Sequence, residues 1–235
     1  MTLFSELPGP SGTTVRLLNE QVYSLTVNGR PLASATLLPE QLEEFAAGYL
    51  VTEGITAYSE IESIMPDTAA IGVLTVNPFK VLLPKKTVVS GCGGTASYLD
   101  PARLPRVPDG GCVSLCGLTP EFPAEILAAG GFAAAAYTQA GRAAAASDLS
   151  QHAAFDKVIG SLLRQGCSPA GAAVICSGKI TAELVRKSLH AQIPLLASCM
   201  PPTALAVATA QAGNLTLVQF PEKIVYCGAG RLSPV

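Results

Sequence analysis

The chain has 235 residues, 49% of them hydrophobic and 14% charged, with a formal net charge of −2. That composition supports a packed core and excludes a disordered chain, and so balanced a charge leaves no footprint for nucleic acid or an acidic membrane surface. Seven cysteines, an odd number, make no disulfide framework, and with neither a secretory signal nor an apolar run of the roughly 20 residues that span a bilayer, the expectation is a soluble cytoplasmic protein with reduced thiols.

Residues 1–14 contain Pro8-Gly9-Pro10-Ser11-Gly12 and read as a flexible lead-in. Tyr23, Leu25 and Val27 then alternate with polar residues and run into Asn28-Gly29. That dipeptide suits a type I′ turn, whose two central positions need positive φ, so a hairpin is predicted over 21–35. From Pro39 onward, Leu42, Phe45, Ala46, Tyr49 and Leu50 follow a helical stripe. Glu40, Glu43 and Glu44 favour its N-terminal end, and Gly54 is placed as its cap. Strands are predicted at 70–76 and 81–83, the second leading into Val88–Ser97.

In that stretch Cys92 has glycine on both sides and a further glycine beyond. The pattern predicts an uncrowded loop that other groups can approach closely. Lys85 and Lys86 stand upstream, where they would stabilise a thiolate, the attacking form of cysteine. A tight turn holding a merely small, apolar cysteine is the competing reading. Pro101, Pro105 and Pro108 with Asp109-Gly110-Gly111 mark a boundary near 110. This divides a β-rich domain with one amphipathic helix, 15–110, from an α/β domain, 111–235.

The second domain opens with a short helix at 123–129. Ala133–Ala136 and Ala143–Ala146 have helical propensity, yet Gly141 between two runs of similar length also permits a hairpin, and both readings stand. A helix ending at Arg164, a strand at 172–176, a helix at 182–189, a strand at 195–198, a helix at 204–212 and strands at 215–220 and 224–227 follow. Such alternation predicts a sheet covered by helices, whose ligands gather beyond the carboxyl ends of the strands.

Two strand-to-helix loops meet that description, Ser177-Gly178-Lys179-Ile180-Thr181 and Cys199-Met200-Pro201-Pro202-Thr203. Their N–H groups, hydroxyls and lysine suit a phosphate; ordinary N-capping is the alternative. The glycine spacing before Lys179 is too long for a Walker A loop. His152 stands four residues from Asp156 and four from Asp148. On one helix face the three would form a proton relay, an anion clamp or a structurally held histidine. Cys112 and Cys116 are an isolated pair, and Ala154 occupies the place where a zinc deaminase needs glutamate, so no metal site is predicted.

Several segments share one order with a known set of motifs. Pro31-Leu32 with Ala46–Gly54 is similar to P-L…A-A-G-F-L-x-x-E-G, and Ser147–Gly160 to E-D-V-G-R-H-N-A-x-D-K-x-x-G. Ser177-Gly178-Lys179 with Glu183 is similar to S-G-R…E, Pro202–Ala206 to A-P-T-x-L-A, and Leu215–Phe220 to I-T-L-x-G-F. Together they resemble the FdhD/NarQ family of formate dehydrogenase accessory proteins. The resemblance implies an α+β chain whose second domain is a layered α/β unit of the cytidine-deaminase type without zinc, assembled as a homodimer.

It also implies a sulfurtransferase. Cys92 would accept sulfur from a cysteine desulfurase as a persulfide and pass it to molybdenum cofactor, bis-molybdopterin guanine dinucleotide, for formate dehydrogenase. Ser177, Gly178, Lys179, Thr203, His152, Asp156, Phe220 and Lys223 are the implied cofactor contacts. A chaperone that binds the cofactor without moving sulfur is the alternative. The chain departs from the family pattern at several points: Cys92-Gly93-Gly94-Thr95 lacks the second cysteine of C-G-x-C-G, and Ala133 replaces the histidine of G-G-x-H. Ser147, Ser150 and Gln151 stand for glutamate, glycine and arginine, and Pro221-Glu222-Lys223 for a longer basic stretch.

Overall fold

The structure, a computed structural model, describes residues 3–78, 103–110, 114, 115 and 117–232. The strand expected at 81–83, the Cys92 loop with Lys85 and Lys86, and Cys112 and Cys116 lie outside the described residues.

Four strands build the first sheet: β3 (Gln21–Val27), β4 (Arg30–Leu37), β5 (Ile61–Pro66) and β6 (Ala70–Thr75), in the order β4-β3-β6-β5. Asn28 and Gly29 both take positive φ between β3 and β4, the conformation expected of that dipeptide. Tyr23, Leu25 and Val27 point inward with Ile71 and Val73, and α1 (Leu42–Thr52) covers them through Phe45, Ala46, Tyr49 and Leu50. Gly54 follows α1 with φ 69°, a left-handed stop that favours glycine. The strand β5 was not evident in the sequence because it is a sheet edge whose side chains are all half-exposed or exposed, with little alternation.

The expected flexible lead-in is corrected. Phe4–Pro8 (β1) pairs antiparallel with Thr14–Leu18 (β2), and Pro10–Gly12 makes a 3-10 turn between them. Proline and glycine there shape a hairpin loop rather than loosen the chain.

The second sheet has six strands in the order β12-β11-β10-β9-β7-β8. These are β7 (Phe132–Thr138), β8 (Gly141–Asp148), β9 (Ala173–Cys176), β10 (Leu195–Ser198), β11 (Thr216–Gln219) and β12 (Ile224–Cys227). The three central strands β9, β10 and β11 run parallel, while β7, β8 and β12 each run antiparallel to their inner neighbour. The alanine runs are therefore a hairpin. Residues 133–137 are buried throughout, so burial on both faces of a sheet overrides the helical propensity of alanine.

Besides the short α2 (Ala124–Ala128), three helices follow: α3 (Gln151–Arg164), α4 (Ala182–His190) and α5 (Ala204–Ala212). All three pack on one face, where Phe155, Val158, Leu184, Val185 and Ala206 meet Val174, Leu196 and Leu217. Leu115, Leu118 and Phe122 lie against the other face. Val107, from the segment read as the end of the first domain, is buried in the second: its N–H donates to Gly213 O at 2.9 Å.

The two sheets are joined through α1 and α3, which cross at contact distance. A Cβ on Gly48 would stand 1.7 Å from Asp156 O, and one on Gly160 would stand 1.8 Å from Glu44 O. Only glycine allows backbones to meet so closely.

Candidate functional site at the carboxyl edge of the six-stranded sheet

The strand directions bring four connections to one edge. β9, β10 and β11 end there, and so does β8, which is antiparallel to β7 and hence runs with β9. As a result α3, α4 and α5 all begin at this edge, capped by Ser150, Thr181 and Thr203. Their hydroxyls accept from the N–H of Ala153, Leu184 and Ala206 respectively. Ser, Thr and Asn are favoured at such positions because they satisfy one otherwise unpaired N–H of the first turn. The capping expected as an alternative for the two loops is present. It leaves the other first-turn N–H groups and the positive helix ends directed at the same edge.

Backbone and side chain tie these loops together. Thr203 N–H donates to Ile180 O at 3.1 Å and Cys199 N–H to Cys176 O at 3.2 Å. Ser198 Oγ donates to Gly178 O and accepts from Met200 N–H. Ser177 is anchored to β7: its N–H donates to Ala133 O at 2.9 Å, and its hydroxyl accepts from Ala133 N–H at 3.0 Å. Gly178 has no room for a side chain, since a Cβ would lie 1.9 Å from Gln151 Oε1. Gln151, which stands where the family pattern has arginine, donates to Lys179 O at 2.9 Å. The Lys179 side chain is exposed, as is that of Lys223 in the turn after β11.

His152 sits in the first turn of α3, with Nε2 enclosed and 3.9 Å from Glu183 Oε2. Burial, and then the nearby Lys187 ammonium, hold its imidazole below the usual range, so it is neutral at pH 7. Ser177, Gly178, Lys179, Thr203, His152 and Lys223 thus belong to one edge.

Asp156 and Phe220 require correction as cofactor contacts. Asp156 is 2% exposed. Its carboxylate accepts from Lys187 Nζ at 2.8 and 3.0 Å and from Thr52 Oγ1 at 2.6 Å. It joins helices in the interior. Phe220 is also 2% exposed and packs with Ile175, Ala197 and Val218 beneath the edge; its N–H donates to Ser198 O at 2.8 Å. Asp148 ends β8 rather than continuing α3, and it pairs with Lys157, whose ammonium also donates to Leu38 O at 3.1 Å. The relay of Asp148, His152 and Asp156 on one helix face is therefore absent.

Cys199 was overlooked within a loop that the sequence had marked. It is half-buried at this edge, and burial, then the Glu222 carboxylate, push its thiol up. It is protonated at neutral pH, unlike an activated thiol. Among the described residues no group of three or more His, Cys, Asp or Glu is placed to hold a metal ion, and no helix is long and apolar enough to cross a membrane.

A mixed sheet with three helix N-termini and two exposed lysines at one edge, braced by a second sheet through a helix pair, defines an α+β protein. A family model described as the FdhD/NarQ family matches residues 18–233. The chain belongs to that family. It is 32% identical over 230 residues to the sulfur carrier protein FdhD of Burkholderia cenocepacia, covering 86% of this chain and 82% of that one. It is 30% identical over 223 residues to the sulfur carrier protein FdhD of Shouchella clausii, covering 87% and 84%. A crystal structure from Desulfotalea psychrophila, assigned as a formate dehydrogenase accessory protein, shares the fold with a TM-score of 0.74 at 24% identity, covering 98% of this chain and 97% of that one.

Proposed function

We propose that the chain is a sulfur carrier. Cys92 takes sulfur from a cysteine desulfurase and hands it to molybdenum cofactor, bis-molybdopterin guanine dinucleotide, seated at the carboxyl edge and destined for formate dehydrogenase. The observation that carries this reading is the convergence of three helix N-termini with Lys179 and Lys223, a surface suited to phosphate oxygens. The names of the relatives support the sulfur-carrying part. The sheet order, a hairpin followed by parallel strands with helices on one face, supports a cytidine-deaminase-type layer. The absence of charged residues from 195 to 221, with Leu205 58% exposed on α5, supports a homodimer face there.

In the first step the Cys92 thiolate attacks the outer sulfur of the desulfurase persulfide. The S–S bond breaks, the desulfurase leaves as a thiolate, and Cys92 carries –S–SH. Release of that sulfur as sulfide takes two electrons. A second thiol supplies them by attacking the Cys92 sulfur, so that a disulfide forms and sulfide departs.

The test is intact-mass measurement after incubation with a cysteine desulfurase and cysteine. The expected product is one added sulfur, about 32 Da, on Cys92; its persistence in Cys92→Ser would falsify the assignment. One observation favours the chaperone as a second reading: the edge presents binding groups, while the chain lacks the second cysteine of C-G-x-C-G and the histidine of G-G-x-H. Heat of binding with GDP in calorimetry, together with no mass adduct, would select the chaperone.

A further inference from the structure

Away from the carboxyl edge, a cleft of about 310 Å³ opens where the start of α1, the edge strand β8 and the segment around α2 meet. Its floor is apolar: Leu38, Ile126, Ala134 and Ala146 are all buried. Ala134 and Ala146 are register partners on β7 and β8, so the alanine runs create this hollow, which larger side chains would fill. The rim is charged. Arg142, near the start of β8, and Glu40, just before α1, both line the cleft, and among the described residues neither side chain has a hydrogen-bond or ion-pair partner.

Gln41 Nε2 donates to Ala145 O at 3.2 Å, which sets Glu40 beside a point on β8 three residues from Arg142, about 10 Å along the strand. Gln41 itself is held at φ 53°, ψ 42°, a left-handed conformation unfavourable for a non-glycine residue. Strain of this kind concentrates where a fold clamps a ligand. A guanidinium and a carboxylate without partners among the described residues, with the third charged lining residue, Glu125, engaged by Arg16 at 2.9 Å, stand beside an apolar floor and form a complementary set.

We propose that this cleft binds a short apolar zwitterion, a free α-amino acid or dipeptide. Its carboxylate meets Arg142, its ammonium meets Glu40, and its side chain lies on the alanine floor. The guanidinium fork suits a carboxylate. The site is independent of sulfur transfer, so failure of the Cys92 assignment leaves it standing.

Calorimetric titration of the full chain with L-leucine and glycyl-L-leucine tests it. At least one should bind saturably with a dissociation constant on the order of 1 mM. N-acetyl-L-leucine, lacking the ammonium, and leucinol, lacking the carboxylate, should bind about tenfold more weakly or worse. Arg142→Ala should weaken the zwitterion and leave leucinol unchanged. Glu40→Gln should weaken the zwitterion and leave N-acetyl-L-leucine unchanged while circular dichroism shows an intact fold. No saturable heat with either zwitterion, or equal affinity in wild type and Arg142→Ala, overturns the proposal.

Discussion

Lys187 Nζ on α4 lies 2.7 Å from Glu53 Oε1 at the end of α1, and the same ammonium bonds Asp156 on α3. One cation therefore joins three helices and both sheets. Arg186 adds two hydrogen bonds to Glu53, at 2.8 and 2.9 Å, and the ring centroid of Tyr49 lies 5.0 Å from Lys187 Nζ. Replacing Lys187 by methionine would leave buried carboxylates short of their cation. The expected loss is about 3–5 kcal/mol of unfolding free energy, measured by urea titration. A loss below about 1 kcal/mol would mean that the junction relaxes or hydrates freely.

The same junction sets an acid response. Lys187 and Arg186 overcome the burial of Glu53 and bring its carboxyl down to about 2 from an ordinary 4.5. Burial pushes Asp156 up to about 6 despite Lys187. For Glu53 the folded state resists the proton, so its contribution is present above pH 4.5 and is lost as pH falls toward 2. Asp156 has the opposite sign: its contribution is full below its unfolded value near 3.8 and is lost as pH rises through 6. Stability linked to Asp156 should rise from pH 7 to 5, and acid loss linked to Glu53 should begin only below about 4.5. Thermal melts of wild type, Asp156→Asn and Glu53→Gln across this range separate the two. A low-pH loss of equal size in Glu53→Gln would refute the Glu53 part.

The α1–α3 crossing admits no added carbon. Gly160→Ala should force the helices apart and cost about 3 kcal/mol or more, at or above the usual range for overpacking, because backbone rather than a movable side chain is struck. Denaturant midpoints would show it; a midpoint like that of wild type would mean that the helices are less tightly apposed.

At the carboxyl edge, Lys179→Ala should weaken GDP about five- to tenfold, near 1 kcal/mol, and should flatten the dependence of binding on salt. Stability should be unchanged, because the side chain is exposed. Calorimetry at two ionic strengths gives both readings, and unaltered affinity would remove Lys179 from the site.

Much of this protein was readable from the order of its residues. Asn28-Gly29 determined a turn, the stripe from Leu42 to Leu50 determined a helix, and the strand-to-helix loops at 177–181 and 199–203 lay where capping chemistry indicated. These are local matters, set by backbone preference and hydrophobic period over a few residues. Tertiary structure decided the rest. The first alanine run became a strand because a sheet buried both its faces, and the second became its edge partner with one face buried; Asp156, which looked chemical, became an interior tie because Lys187 on α4, 31 positions further on, meets it there. Whether a charged side chain serves a ligand or the fold depends on what surrounds it, and that is settled by contacts between residues such as Glu53 and Lys187, 134 positions apart.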